Sequence, residues 1–166
     1  MVSGKKILPF ILTFFVIILD QITKIAVVAS IPENAIGASF LDGALRIIHV
    51  KNIAIAFSLG ESMPDALRFF FFSVIPFIVL AGITVYLLRT DSITSYQRWL
   101  VCGVVGGGFG NLIDRVFRPD GVIDFVDVRF YGLFGLERWP TFNVADIAIV
   151  ICGLLLMFTL LRSKKS

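Results

Sequence analysis

The sequence contains little charge and few of the side chains that most hydrolytic and metal sites require. Charged residues make up 16% of its 166 residues, whereas a soluble domain carries roughly 25%. The only two cysteines, Cys102 and Cys152, each lie inside an apolar run, so neither a disulfide framework nor a four-ligand zinc site is available. The only histidine, His49, lies in a strand-like segment outside the apolar runs, which disfavours a serine–histidine protease.

Apolar residues dominate the composition. Hydrophobic residues make up 57% of the chain, 17 of them Phe, and the mean hydropathy is +0.92. A soluble fold of this length could not bury so many apolar side chains, so the sequence predicts a bilayer as the solvent. The net charge of +3 comes from scattered Lys and Arg, which indicates membrane phospholipid rather than nucleic acid as a partner. Neither a cofactor nor a metal ion is expected.

Four apolar stretches approach the roughly 20 residues that cross a bilayer as a helix. They cover residues 7–29, 69–88, 96–113 and 144–161. The first also resembles a cleavable signal peptide ending at Val27-Val28-Ala29, but it is long for that role and contains Asp20 and Lys24. We therefore predict an all-α membrane protein of one domain, residues 1–166, with four transmembrane helices.

Lys and Arg near the ends of the spans indicate the orientation. They precede the first span, lie between the second and third, and follow the fourth, as Lys5, Lys6, Arg89, Arg98, Arg162, Lys164 and Lys165. By the positive-inside rule these ends and both termini are cytoplasmic. The outer connections, 30–68 and 114–142, contain segments 45–50 and 122–128, in which branched residues alternate with period two. This alternation predicts short strands on the outer membrane surface.

Ionisable side chains inside a membrane span are costly, so each one marks a candidate site. The polar residues of the spans fall at the outer end of the predicted bundle: Asp20 and Lys24 in the first span, Asn111, Asp114 and Arg115 in the third, and Asn143 and Asp146 in the fourth. Asp20 with Lys24, and Asp114 with Arg115, are candidate ion pairs that tie helices together. Glycines in the third span predict close helix contacts there: Gly103, Gly106, Gly107, Gly108 and Gly110.

Two carboxylates have no cation close to them in the sequence. Asp146 has no basic residue three or four positions away, and Asp124 has none at adjacent positions. Two carboxylates in a partly dry site cannot both ionise cheaply, so one can activate a water molecule while the other supplies a proton. The sequence alone also allows a surface Asp124 and an Asp146 that only opens a helix.

The chain resembles the bacterial lipoprotein signal peptidases, the signal peptidase II family of intramembrane aspartic proteases. Five segments carry the resemblance, in this order along the chain: DQITK at 20–24, NIAIAF at 52–57, GNLIDR at 110–115, GVIDF at 121–125 and FNVAD at 142–146. In the second segment the family usually has Gly where this chain has Ala54 or Ile55. This departure concerns only the local backbone shape.

The resemblance implies a fold, a site and a substrate. The fold is four transmembrane helices with a small β-cradle and a short surface helix on the outer face, in the bacterial inner membrane. The substrate is a prolipoprotein with a diacylglyceryl-modified Cys, cut on the N-terminal side of that Cys, and no oligomer is implied. The implied site has Asp124 and Asp146 as the catalytic pair, Asn52, Asn111, Arg115 and Asn143 lining it, and Asp20, Lys24 and Asp114 in support.

Two other functions stay open at the level of sequence. A small proton-coupled carrier would bind a cation at Asp20 or Asp146, although carriers usually place such groups near the membrane midplane between repeats, and no repeat is visible here. A non-enzymatic four-helix scaffold would use the polar pairs for stability alone. In that case, replacing Asp124 or Asp146 by Asn would cost little function.

Overall fold

The computed structural model describes residues 4–53, 63–118 and 120–163. Within them, four helices are long and apolar enough to cross a membrane: Gly4–Ser30, Asp65–Arg89, Ser95–Phe117 and Val144–Arg162. The predicted fold class, four membrane helices with a small sheet, is therefore confirmed. Some residues that the sequence analysis used lie outside the described part, namely Ala54, Ile55 and the rest of segment 54–57, Lys164 and Lys165.

Two strands separate the first span from the second, and a third strand lies between the third and fourth spans. They are α1 (Gly4–Ile7), α2 (Phe10–Ser30), β1 (Ile36–Phe40), β2 (Leu45–Asn52), α3 (Asp65–Phe69), a π-helical turn (Phe70–Val74), α4 (Ile75–Arg89), α5 (Ser95–Phe117), β3 (Val122–Val128), a 3-10 turn (Leu133–Gly135) and α6 (Val144–Ser163). The π-helical turn comes just before Pro76. A proline inside a helix lacks the N–H that a regular turn would need, and the wider turn accommodates it.

Helix α5 forms the centre of the bundle. Half of its most apolar stretch is buried, compared with 6% for α6, although its hydropathy is the lowest of the four spans. Its glycines allow this burial, because a Cβ added at Gly106 would lie 2.9 Å from the Thr13 carbonyl oxygen, and one at Gly107 would lie 2.4 Å from that of Ala145. The predicted close helix contacts are thus confirmed, and they draw α2 and α6 against the polar end of α5.

Helix α5 also continues further than the predicted span, so that Asp114 and Arg115 lie in its last turn. The helix ends at Phe117, and Arg118 is extended with φ of −122° and ψ of 95°. Arg118 precedes Pro119 in the sequence, and the residue before a proline is disfavoured in the helical region. The site residues of the third span are therefore fixed on a regular helix.

The strands form one three-stranded antiparallel sheet in the order β1-β2-β3. The two predicted strands are confirmed as β2 and β3, whereas β1 was not predicted. Ile123 and Phe125 of β3 pack against Val27 and Ile31 at the outer end of α2. The short surface helix is not seen in the described residues: α3 runs on into the second span, and the 3-10 turn Leu133–Gly135 is a single turn. Residues 54–62 lie outside the described part.

The lone histidine has a structural position in this sheet. His49 is only 4% exposed, and its Nδ1 lies 2.8 Å from the carbonyl oxygen of Ile31. The two cysteines are free thiols, Cys102 buried and Cys152 half-buried, as expected for small packing residues. The histidine and the cysteines therefore contribute to packing.

Candidate active site

The two unbalanced carboxylates meet at one residue, Asn143, which immediately precedes α6. Its side-chain amide Nδ2 donates to Asp124 Oδ1 at 2.7 Å. Its backbone N–H donates to Asp146 Oδ2 at 3.1 Å. The sheet supplies one carboxylate and the start of a membrane helix supplies the other, so residues 22 positions apart in sequence are brought to the same place.

Asp124 lies in the first half of β3, where four successive residues are buried on both faces of the strand, and is 4% exposed. The end of strand β2 places Asn52 beside it, and Asn52 Nδ2 donates to Asp124 Oδ2 at 3.0 Å. Burial raises the pKa of Asp124 to about 7, with the nearby charge of Asp146 raising it further and the hydrogen bonds from Asn52 and Asn143 opposing the rise. A carboxyl group with this pKa is protonated in a large fraction of molecules at neutral pH.

Asp146 is held by the geometry that begins α6. Asn143 Oδ1 accepts from the Asp146 backbone N–H at 3.0 Å, while Asp146 Oδ2 accepts from the Asn143 backbone N–H. This reciprocal pattern has the form of a capping box, which satisfies N–H groups that the first helical turn leaves free. Its other carboxylate oxygen, Oδ1, accepts from Asn111 Nδ2 at 2.8 Å. The carboxylate is consequently fixed by α5 as well as by its own helix.

A buried ionic cluster lies below this pair. Lys24 Nζ is 2.8 Å from Asp20 Oδ2 and 2.9 Å from Asp114 Oδ2, and all three side chains are fully buried. Lys24 Nζ also donates to Asn111 Oδ1 at 3.1 Å, and Asp20 Oδ1 accepts from the backbone N–H of Ala145 at 3.0 Å. The predicted Asp20–Lys24 pair is confirmed. Through Asn111 and Ala145, the cluster supports the position of Asp146.

The predicted pair between Asp114 and Arg115 is wrong. Asp114 bonds Lys24, Arg118 and the backbone N–H of Ile123. Adjacent residues of a helix point in directions about 100° apart, whereas residues four apart share a face, so Arg118 and not Arg115 reaches Asp114. The guanidinium of Arg115 lies over the ring of Phe72 instead, 5.6 Å from its centre.

Sequence reasoning also missed Gln21 as a member of the cluster. Its Nε2 donates to Asp114 Oδ1 at 3.0 Å and to the Gly110 carbonyl oxygen at 3.1 Å, and its Oε1 accepts from Arg118 Nη1 at 3.1 Å. Gln21 lies within segment 20–24, and Arg118 is four residues after Asp114. Helical spacing could therefore have found Arg118, while the contact of Gln21 depends on how α2 packs against α5.

A cavity of about 330 Å³ opens between the start of α3 and the end of α5; Asp124 does not line it, but Asn52 on its wall bonds Asp124. Its wall combines apolar and cationic side chains with the same Asn52 that bonds Asp124, and includes Asn52, Arg68, Phe69, Phe72, Ser73 and Arg115. In the described part of the chain, no cluster of three or more His, Cys, Asp or Glu residues has the arrangement of a metal site. The site therefore consists of two amide-bound carboxylates next to a cleft that can hold a chain with both polar and apolar parts.

Comparison with known proteins identifies the family. The family model described as Signal peptidase (SPase) II matches residues 12–162. The chain belongs to the signal peptidase II family. The chain is 43% identical to the lipoprotein signal peptidase of Treponema pallidum over 164 residues, covering 99% of this chain and 88% of that one. It is 46% identical to the lipoprotein signal peptidase of Treponema denticola over 147 residues, covering 89% and 84%.

Solved structures share the fold of this chain. A structure titled "Bacterial membrane enzyme structure by the in meso method at 2.3 A resolution" matches with a TM-score of 0.77 at 24% identity, covering 94% of this chain and 88% of that one. A second structure with the same wording at 1.9 Å matches with a TM-score of 0.75 at 25% identity, covering 92% of each chain. The protein is thus a multi-pass membrane protease of the aspartic type, and the carrier hypothesis finds no support.

Proposed function

We propose that this signal peptidase II removes the signal peptide from diacylglyceryl-modified prolipoproteins, cutting on the N-terminal side of the lipidated Cys. Asp124 and Asp146 are the catalytic pair. One observation carries the assignment: both carboxylates bind Asn143, and among the described residues neither forms an ion pair. Each carboxylate can therefore exchange protons with a substrate and a water molecule.

The two carboxylates take different roles in this proposal. Asp124, with its pKa of about 7, enters the reaction protonated and donates a hydrogen bond to the carbonyl oxygen of the scissile peptide. Ionised Asp146 accepts a proton from a water molecule whose oxygen attacks the carbonyl carbon. The C–N bond of the tetrahedral intermediate then breaks, and the leaving nitrogen takes a proton from the carboxyl pair. The products are a signal peptide with a new carboxylate and a lipidated Cys with a free amine.

The four lining residues divide into two groups. Asn111 and Asn143 are bonded to the carboxylates and to each other, with Asn143 Nδ2 3.0 Å from Asn111 Oδ1, so they position the catalytic pair. Asn52 also bonds Asp124, and it lies on the wall of the cavity together with Arg115. They are therefore the residues of this set that bind the substrate peptide, through groups that do not compete as nucleophiles.

The depth of the site suits a lipid-anchored substrate. The carboxylates lie at one end of the membrane helices, and the α3–α4 segment beside the cavity exposes about half of the surface of Phe69 and Phe70. These aromatic side chains are placed to contact acyl chains, as Trp139 is at the interface. Lys5, Lys6, Arg89 and Arg98 lie at the opposite end of the helices, which supports cytoplasmic termini and an outward-facing site in the inner membrane.

The test is cleavage of a diacylglyceryl-Cys prolipoprotein by the purified protein in detergent. Wild type should cut before the lipidated Cys, and Asp124→Asn and Asp146→Asn should be inactive while keeping their fold. Asp120→Asn is the matched control, because Asp120 is an exposed carboxylate of the same outer face that pairs with Lys51. A folded wild type that leaves this substrate intact, or a fully active Asp124→Asn or Asp146→Asn, would refute the proposal.

A further inference from the structure

A second cavity lies at the other end of the bundle, far from the catalytic pair. It has a volume of about 300 Å³ and opens between α1 and the start of α5. We call it the inner basic pocket. Its polar lining residues and its one tryptophan are Lys5, Lys6, Asp91, Ser95, Arg98 and Trp99. None of them contributes to the site described above.

The pocket concentrates positive charge that the protein only partly balances. Arg98 is 5% exposed and donates to the carbonyl oxygens of Leu87 and Thr90, the second at 2.8 Å. Lys6 Nζ donates to the Arg89 carbonyl oxygen at 3.1 Å. These carbonyls lie at the end of α4 and carry only partial negative charge. Among the described residues, the lining holds three cations, Lys5, Lys6 and Arg98, and one carboxylate, that of Asp91.

That carboxylate lies where an external anion could replace it. Asp91 Oδ1 is 2.8 Å from Lys6 Nζ, but the Asp91 side chain is 86% exposed while that of Lys6 is 16% exposed. A surface ion pair of this kind contributes little net stability. The Lys6 side chain is thus mostly buried, while its partner Asp91 lies on the exposed rim of the pocket. A phosphate oxygen could take the place of the Asp91 oxygen.

The surroundings of the pocket match the level of lipid headgroups. Tyr86 and Tyr96 are both more than half exposed near it, and Trp99 lines it. Tyrosine and tryptophan collect at the boundary between the hydrocarbon and the headgroups. Ile7 and Leu8 are 52% and 54% exposed on the neighbouring turn, so an apolar surface for acyl chains adjoins the cationic lining.

Two other candidate occupants have the wrong charge for this pocket. The residues that follow α6 include Lys164 and Lys165, and the leading part of a signal peptide is itself positively charged. Both would be repelled by the three cations. We propose that the inner basic pocket binds the phosphate group of an anionic phospholipid, from the leaflet opposite the catalytic site. Lys5 and Lys6 pair with the phosphate, and Ser95 and Trp99 offer an O–H and an N–H donor.

The first experiment measures lipid retention by native mass spectrometry of the delipidated protein. Phosphatidylglycerol should bind at least tenfold more tightly than phosphatidylcholine, and the double variant Lys5→Gln/Lys6→Gln should lose about tenfold in phosphatidylglycerol affinity. Lys51→Gln is the matched control, since Lys51 is a lysine of the opposite face balanced by Glu33 and Asp120. Equal binding of the two lipids, or an equal loss in Lys51→Gln, would overturn the proposal.

The second experiment uses Asp91→Asn, which should change affinity in the opposite direction. Removing this carboxylate leaves Lys6 without its competitor, so phosphatidylglycerol should bind severalfold more tightly. If the Lys6–Asp91 pair only clips α1 to the loop, both substitutions would lower thermal stability and neither would alter lipid selectivity, which would refute the proposal. Saturation by inorganic phosphate at the concentrations effective for phosphatidylglycerol would also refute it. Repeating the measurement in Asp124→Asn keeps the result independent of catalysis.

Discussion

Two pairs of carboxylates lie at the same end of this bundle, yet they have opposite surroundings. Asp20 and Asp114 both contact the ammonium of Lys24 and are fully buried. Asp124 and Asp146 are held by amide groups, with Asn143 common to both. Asp124 is buried like Asp20 and Asp114, and Asp146 is half-buried, so the clearest difference between the two pairs is the charge of the partner.

This difference separates a structural carboxylate from one that can do chemistry. A buried cation stabilises the ionised form and ties up oxygens that would otherwise accept protons. An amide N–H orients the carboxylate oxygens without neutralising their charge. The pKa of the carboxylate is then set by the neighbouring carboxylate and by the substrate. We therefore expect substitutions in the Asp20–Asp114 pair to lower stability, and substitutions in the Asp124–Asp146 pair to lower the cleavage rate.

The largest expected effect comes from replacing one carboxylate of each pair and comparing rate with stability. Asp146→Asn should lower the cleavage rate by about 10²–10⁴-fold or more, the range for lost acid–base catalysis, with little change in unfolding. Asp20→Asn should instead act mainly on stability, because it disturbs the cluster around Lys24. Cleavage assays and thermal unfolding of both variants check this, and a stable, active Asp146→Asn would break the comparison.

Removing the shared cation should be the most damaging change to stability. Lys24→Met leaves two buried carboxylates facing each other, a change of about 3–5 kcal/mol for a broken buried pair. The triple variant Asp20→Asn/Lys24→Met/Asp114→Asn should recover much of this loss, because no uncompensated charge remains. Denaturation of both variants in detergent distinguishes them, and equal stability of the single variant and wild type would contradict the role assigned to Lys24.

A methyl group between α5 and α6 should disturb both pairs together. Gly107→Ala places a Cβ 2.4 Å from the Ala145 carbonyl oxygen, and overpacking of this kind typically costs about 1–3 kcal/mol. Gly82→Ala is the control, since nothing lies within 4 Å of its added Cβ. The variant should unfold at lower temperature and cleave more slowly than the control. Identical melting of the two variants would show that the helices separate freely.

The smallest expected effect is a dependence of stability on pH. Asp124 has a folded-state pKa of about 7, above its ordinary value of 3.8, so the folded protein holds this proton more tightly than the unfolded chain. The stabilisation is complete below the ordinary value and is lost as the pH rises through 7. Relative to Asp124→Asn, wild type should lose about 1 kcal/mol between pH 6 and pH 7. Parallel pH profiles of the two proteins would refute the assignment.

Much of this architecture could be predicted because it depends on local patterns. Hydropathy located the four spans, and period-two alternation located β2 and β3. Helical spacing gave the Asp20–Lys24 pair, and the resemblance pointed to Asp124 and Asp146. These features need only neighbouring residues or a family motif.

The features that were missed depend on distant partners. Strand β1 contains Gly37, Ala38 and Ser39, which have little strand preference of their own, and it forms because β2 offers an edge to pair with. The pairing of Asp114 with Lys24 likewise depends on the contact between α2 and α5. Contacts between separate elements depend on how those elements pack together, so they cannot be predicted from the sequence of any one segment.

The reciprocal hydrogen bonds between Asn143 and Asp146 have a consequence for the order of synthesis. Asp146 follows the other three membrane helices along the chain, and its carboxylate is fixed only when α6 has begun. Because the chain is made from its N-terminus, Asp124 is present during most of membrane insertion while Asp146 is not yet in place. On the proposed catalytic role of Asp146, proteolysis starts only after the fourth helix has joined the bundle, and the newly made enzyme is inert toward neighbouring chains until then.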